Sequence, residues 1–430
     1  MLRYGCWMVA AFSFLGVLAP VSVMAQEDPS QQLIRMAAGQ ADSPEFREAL
    51  VARVGEENLK EGRASVSYGP DFLFATESAQ RPTLVIDDEP AGALKQLAGS
   101  SIWIHTAKLE TGRSHAFYFE VNGEMGRRID VPAYTPDSYP KPGVPEGALS
   151  ERITHTSNVY PGMVSDYWIY VSPGYDPVNG AALMVWQDGQ GLARRDSSSR
   201  LFTVTENLVH EKKIPPMIHV MIAPGTVGER RMRSIEYDAV NDTYTRFLLE
   251  EILPEVEKKY KIRADAYSRG IAGQSSGGIC AFNAAWQRND QFSRVLSGIG
   301  SFTSIAWRSQ DDRGEDVLEG GHFFPFMIRK QPKKNIRVWL QDGSEDLENN
   351  HGSWPLQNIQ MANSLKMREY DFHLRFGNGQ HSSAARDSEL PGALTWLWRD
   401  YDPSRTEQTY EMDPAEKDKP YFRVKIYNRE

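Results

Sequence analysis

The sequence predicts an α/β protein in two parts: a small β-sandwich, then a larger layered domain built on a mainly parallel sheet. Three observations carry this. After residue 148, short apolar β-branched runs alternate with stretches whose apolar residues recur at helical spacing, the pattern of strands covered by helices on both faces. Residues 66–130 are aromatic and β-branched without a helical period, the pattern of short strands. Between the two lie Pro132, Pro136, Pro140, Pro142 and Pro145. Proline fixes φ and removes a donor, so this stretch reads as a stiff linker. The chain has 430 residues, too many for one ordinary domain of ~100–200. With 40% hydrophobic and 24% charged residues it is neither disordered nor fibrous. A net charge of −9 without a dense Lys/Arg run excludes a nucleic-acid binder. Two cysteines exclude a disulfide framework and a Cys-based zinc cluster.

Taken in order, residues 1–25 have the layout of a secretory signal peptide. Arg3 is the only charge before Glu27, an apolar run extends from Trp7 to Ala19, and Val23-Met24-Ala25 supplies the small residues of a cut site. The run is shorter than the ~20 residues a membrane span needs. The expectation is a periplasmic or secreted protein without integral membrane association after cleavage. Residues 26–65 form a helical arm, with an amphipathic helix over 43–60 capped by Ser43. Residues 66–147 form the sandwich and its linker, with Thr111-Gly112 as a hairpin turn between 101–107 and 114–121. Residues 148–403 form the α/β domain, with strands expected at 164–172, 181–187, 217–223, 270–273, 295–300, 335–341 and 371–377. Helices are expected at 244–259, 277–288, 357–368 and 389–401. Residues 404–430 are a charged tail whose alternating run from Tyr421 to Tyr427 reads as an edge strand.

The sharpest chemical signal is Gly273-Gln274-Ser275-Ser276-Gly277-Gly278, between a short apolar strand and a helix start. This is G-x-S-x-G in the strand–turn–helix context that lifts a serine hydroxyl clear of a sheet in an α/β-hydrolase. A serine needs a base and the base needs a carboxylate, in the chain order Ser, Asp/Glu, His. His322, His351, His373 and His381 follow Ser275. His381 lies in a loop just past an expected strand, where the base belongs. The preceding strand ends at Asp342-Gly343-Ser344-Glu345-Asp346, where Asp346 is the preferred acid and Asp342 and Glu345 compete. The backbone N–H of Ser276 supplies one oxyanion donor, and Gly189 or Gln190, after the strand 182–187, the second.

These residues resemble a known group. Val185 to Gly189, Arg233 to Asp238, Gly273 to Cys280, Ser297 to Phe302, Val338 to Gly343, Trp354-Pro355, Gly377 to Ser382 and Trp396 to Tyr401 are similar, in order and collective spacing, to the enterochelin-esterase-like branch of the esterase D family. That family includes feruloyl and acetyl xylan esterases. The resemblance implies an α/β-hydrolase preceded by an immunoglobulin-like β-sandwich, with Ser275, Asp346 and His381 as the triad and no cofactor. Two positions depart from it: Glu345 stands where asparagine is usual, and Gln380 where glycine is usual.

For substrate contact, Arg230, Arg231 and Arg233 cluster beside Glu236, and an arginine fork suits a carboxylate, catecholate or sugar acid. Trp307, Phe323, Phe324 and Phe326 in a long insertion over 303–327, with Trp354, form an expected aromatic acyl pocket under a lid. The function expected is hydrolysis of a small-molecule or carbohydrate ester. The alternatives are an acyltransferase on the same triad, or a non-catalytic carbohydrate-binding or cell-surface protein.

Overall fold

The computed structural model describes residues 1, 27–308 and 319–425. The expected signal segment, apart from Met1, lies outside the described residues. Among those residues no helix is long and apolar enough to cross a membrane.

The chain begins with helices Pro29–Gly39, Pro44–Val54 and Glu56–Lys60. The side chain of Ser43 accepts from the N–H of Phe46 at 3.1 Å, the expected cap. Gly55 ends that helix in a positive-φ conformation, so one expected helix becomes two. Two small sheets follow. One pairs Ala64–Tyr68, Asp71–Glu77, Ile102–Lys108 and Lys95–Gln96 in that spatial order. The other is built on Arg113–Val121, flanked by Thr83–Ile86 and Ile129–Ala133. Phe72 and Phe74 of the first meet Leu84, Phe117 and Phe119 of the second in one apolar core.

Two expectations fail here. Strands Ile102–Lys108 and Arg113–Val121 do not form a hairpin; they belong to different sheets. Each carries an apolar face, and joining opposite sheets lets both faces look inward at one core, which pairing side by side would not. The proline-rich stretch also starts inside the sandwich. Ile129–Ala133 is a strand, and Pro132 is tolerated because that strand is paired on one side only.

The larger unit is a sheet in which Met217–Ile222, Ala182–Gln187, Arg269–Gln274, Arg294–Gly298, Arg337–Glu345 and Asp371–Gln380 run parallel, in that spatial order. Val164–Val171 adds antiparallel beside Met217–Ile222. The alternation within Ala182–Gln187 shows why both faces are covered. Leu183 and Val185 join the core beneath Ser276–Gln287 and Trp354–Met367, whereas Ala182, Met184 and Trp186 join the core beneath Leu201–His210 and Ala384–Leu397. Fully buried parallel strands need this two-sided cover. The expected helix over 244–259 is interrupted by a wider turn at Leu248–Ile252. The helix expected over 389–401 runs Ala384–Leu397, and a short helix Pro414–Lys417 follows it. Residues 421–425 form no strand, and the rest of that expected edge lies outside the described residues.

Candidate active site

The parallel strands place the chemistry at one rim. Ser275 follows Arg269–Gln274, Asp346 follows Arg337–Glu345, His381 follows Asp371–Gln380, and Gly189 lies just past Ala182–Gln187. In an open α/β sheet the carboxyl ends of the strands form the crevice where ligands bind.

Ser275 has φ 55° and ψ −125°, a conformation that costs an L-residue of order 1–3 kcal/mol and persists only when its surroundings impose it. The impositions are visible. Its N–H donates to Gly298 O at 3.0 Å, and its carbonyl accepts from Gly278 N–H at 2.9 Å and Ser301 N–H at 3.1 Å. A Cβ on Gly273 would stand 2.2 Å from the carbonyl oxygen of Gly277, so only glycine lets strand and helix meet this closely.

The side chains complete the expected constellation. Ser275 Oγ lies 2.8 Å from His381 Nε2, and His381 Nδ1 lies 2.5 Å from Asp346 Oδ1. Asp346 Oδ1 also accepts from the N–H of Leu347 at 2.6 Å. Of the three competing carboxylates, Asp346 therefore meets the base. Asp342 is buried, accepts from Gly343 N–H and Asn358 Nδ2, and sits against Asp346. Burial, then the hydrogen bond and charge of Asp346, push its carboxyl well above the usual range. Glu345 is exposed, and its charge acts on Arg128 of the sandwich. His373 stacks on Trp339 at 4.5 Å, away from the serine, and is pushed down to about 4 by burial.

Sequence reasoning missed Ser301. Its hydroxyl lies 3.2 Å from Ser275 Oγ and accepts from Trp354 Nε1 at 3.1 Å. The Trp354 ring stands edge-on to His381 with centroids 5.8 Å apart. Trp354 is buried, so it backs the base and offers little surface to a substrate. Ser301 lies in one of the quoted sequence blocks, but nothing in the string aims its hydroxyl.

The N–H of Ser276, at the start of helix Ser276–Gln287, has no hydrogen-bond partner among the described residues, and neither do those of Gly189 and Gln190. Asp188 precedes them with φ 54°, held by a two-pronged pair from Arg233: Nε to Oδ1 and Nη2 to Oδ2, each 2.8 Å. The same loop abuts the elbow, because a Cβ on Gly277 would lie 3.0 Å from Gln187 Cβ and 3.1 Å from Asp188 Oδ2. A Cβ on Gly189 would strike the backbone of Met221 and Ile222 at 2.3 Å. Arg233 thus braces the loop carrying the second expected oxyanion donor, which corrects its reading as a free fork. Glu236 is also corrected. It is 1% exposed, accepts from Gly225 N–H at 2.8 Å, and is pushed up to about 7 by burial. It lies beneath the site and presents nothing to a substrate. Arg230 and Arg231 lie exposed on a two-residue strand. The expected aromatic cluster also divides. Phe324 is core, edge-on to Phe282, whereas Trp307, Phe323 and Phe326 are exposed, and residues 309–318 lie outside the described residues.

A family model described as "Putative esterase" matches residues 162–397. An iron(III) enterobactin esterase from Dickeya dadantii is 24% identical over 238 residues, which cover 55% of this chain and 52% of that protein. An endo-1,4-beta-xylanase/feruloyl esterase from Xylanibacter ruminicola is 27% identical over 149 residues, 35% of this chain and 17% of that one. The chain thus matches about half the length of the first relative and less of the second. Among solved structures, the enterobactin esterase of Shigella flexneri in the presence of enterobactin superposes with a TM-score of 0.54 at 17% identity, covering 84% of this chain and 99% of that one. The ferric enterobactin esterase of Salmonella typhimurium gives 0.52 at 16%, covering 76% and 93%. Both share the fold.

Proposed function

The chain belongs to the esterase family, and from that premise we propose that it is a serine hydrolase cleaving a carboxylic ester through an acyl-enzyme. Ser275 Oγ attacks the carbonyl carbon while His381 Nε2 takes its proton. Asp346 holds the imidazole by Nδ1 and stabilises the cation that forms. The N–H groups of Ser276 and of Gly189 or Gln190 receive the oxyanion. The protonated base then delivers its proton to the leaving alcohol, and water, deprotonated by the same imidazole, releases the acid. Residues 148–403 carry this chemistry, and residues 66–147 are an immunoglobulin-like accessory domain. The signal-like pattern in residues 1–25 supports action in the periplasm or outside the cell. The substrate is a carbohydrate ester or a siderophore-type lactone, in keeping with the names of the two curated relatives.

The observation that carries this reading is the chain of contacts from Ser275 Oγ through His381 to Asp346, at 2.8 and 2.5 Å. It is tested by comparing the parent with Ser275→Ala on p-nitrophenyl acetate and with a fluorophosphonate probe. Turnover and labelling are both expected to disappear. Parental turnover in the variant would refute the mechanism. Products formed from acetylated xylan, a feruloyl ester and a catecholate trilactone then assign the acid.

A further inference from the structure

The loop that carries His381 is gripped from outside the α/β unit. Asp130 lies on the sandwich strand Ile129–Ala133, 250 positions before the loop. Its Oδ2 accepts from the N–H of Gln380 at 2.8 Å and from the hydroxyl of Ser382 at 2.7 Å, the residues on either side of His381. Its Oδ1 lies 3.4 Å from Gln380 Nε2, which also donates to Arg128 O at 3.1 Å. Two contacts extend the grip to Asn378. Its carbonyl accepts from Arg128 Nη2 and its amide donates to Asp87 Oδ1, both at 3.3 Å.

We infer that Asp130 is a positioning residue for His381, clamping both flanks of the base so that its imidazole stays across Ser275. The inference rests on the triad reading above. The strand behind His381 ends at Gln380, with its ladder to Arg337–Glu345 already shifted in register between Gly343 and Glu345, so beyond Gln380 no strand pairing among the described residues holds the chain. A two-sided bond to one carboxylate holds it instead, because bonds to an ionised acceptor are roughly twice as strong as neutral ones. The side chain of Gln380 brings one more donor to the sandwich. Docking of the two units does not depend on this clamp. Tyr134 donates to Ser198 O at 2.6 Å, and Asn207 Nδ2 donates to the carbonyls of Asp137 and Tyr139 at 2.8 Å. Those ties touch neither His381 nor its neighbours.

The test uses the full chain with p-nitrophenyl acetate, measuring kcat and KM separately, together with the rate of fluorophosphonate labelling at Ser275. Asp130→Ala is expected to lower kcat and the labelling rate about 10- to 100-fold, since misplacing a catalytic group by about 1 Å costs on that order, with KM changed less than about threefold. Asp130→Asn, which keeps an acceptor oxygen, recovers part of the loss. Ser382→Ala lowers kcat by a smaller factor, and the Asp130→Ala/Ser382→Ala double variant is no worse than Asp130→Ala alone, because the two residues share one bond. Lys108→Ala, which breaks an exposed sandwich pair with Asp71, leaves kcat unchanged. If Asp130→Ala keeps parental kcat while Ser275→Ala is dead, the clamp is overturned and the triad stands. If Ser275→Ala remains active, the triad reading falls and the clamp falls with it. Should Asp130→Ala melt early, Asp130→Asn takes its place in the cycle with Ser382→Ala, and strictly additive losses overturn the clamp.

Discussion

Ser275 is fixed by backbone bonds to residues between Gly278 and Ser301, whereas His381 is flanked by contacts to a residue 250 positions earlier. The serine side is thus built by a strand, a turn and a helix contiguous in the chain, with Gly273 where a methyl group would meet the Gly277 carbonyl oxygen at 2.2 Å. The histidine side is built where the strand Asp371–Gln380 gives out into a polar turn, and the groups that flank His381 there come from another unit. The difference teaches that one catalytic group can be specified by local sterics while its partner depends on docking.

The comparison breaks most sharply if the two sides are not one catalytic unit. His381→Ala should reduce turnover as severely as Ser275→Ala, by about 10⁴–10⁶, and the double variant should lose no more than either alone. Steady-state kinetics of the three proteins decide this, and multiplicative losses would separate the two groups. Next in size is a steric test of the serine side. Gly189→Val should lower kcat at least ~100-fold, because its side chain must displace the backbone of Met221 and Ile222 and with it an oxyanion donor. A parental kcat for that variant removes Gly189 from the site.

The third test compares a buried glutamate on each side. Glu236 lies under the oxyanion loop and Glu389 lies in the helix that follows the histidine loop. Burial pushes each up to about 7 from the usual 4.5, against the partial pull of Arg375 in the case of Glu389. The folded protein therefore holds protons that the unfolded chain has already released. The stability these two carboxyls contribute is full below about pH 4.5, falls as the pH rises toward 7, and is lost above. Glu389→Gln should remove its share of that slope and stabilise the protein at pH 8 by on the order of 3 kcal/mol, read from urea unfolding at pH 5 and pH 8. An unchanged slope means that this carboxyl is already charged in the folded state. The smallest effect belongs to the hinge between the sides. Ser301→Ala leaves the Trp354 indole N–H without its acceptor and should lower kcat by about tenfold or less, since removing one neutral hydrogen bond costs about 1 kcal/mol. A loss as large as that of His381→Ala would make Ser301 part of the proton path.

The elements with strong local signals were the legible ones. The parallel strands and the helix Ser276–Gln287 showed as apolar runs with the correct period. The meeting of Ser275, Asp346 and His381 was legible because each lies at the end of one of those strands. The hairpin at Thr111-Gly112 failed because a short turn between two aromatic strands reads the same whether it joins neighbours or crosses between sheets. Arg233 and Glu236 were misread because a string shows a charge cluster but not which carboxylate the guanidinium finds. Asp188, 45 positions earlier, was that partner. Asp342 and Asn358 behind the acid, and Asp130 beside the base, gave no signal, since a lone polar residue on a strand or helix is ordinary.

What the sequence alone determined is the tight turn that carries Ser275, because glycine spacing and the strand-to-helix switch are short-range properties of backbone sterics. It determined also that a carboxylate and an imidazole would follow in order, because parallel strands deliver their loops to one rim. The tertiary structure decided which charges are paired, which carboxyls are buried, and which segment contacts both neighbours of His381. Those outcomes depend on desolvation and on contacts between distant segments, and neither is a property of any window of the chain.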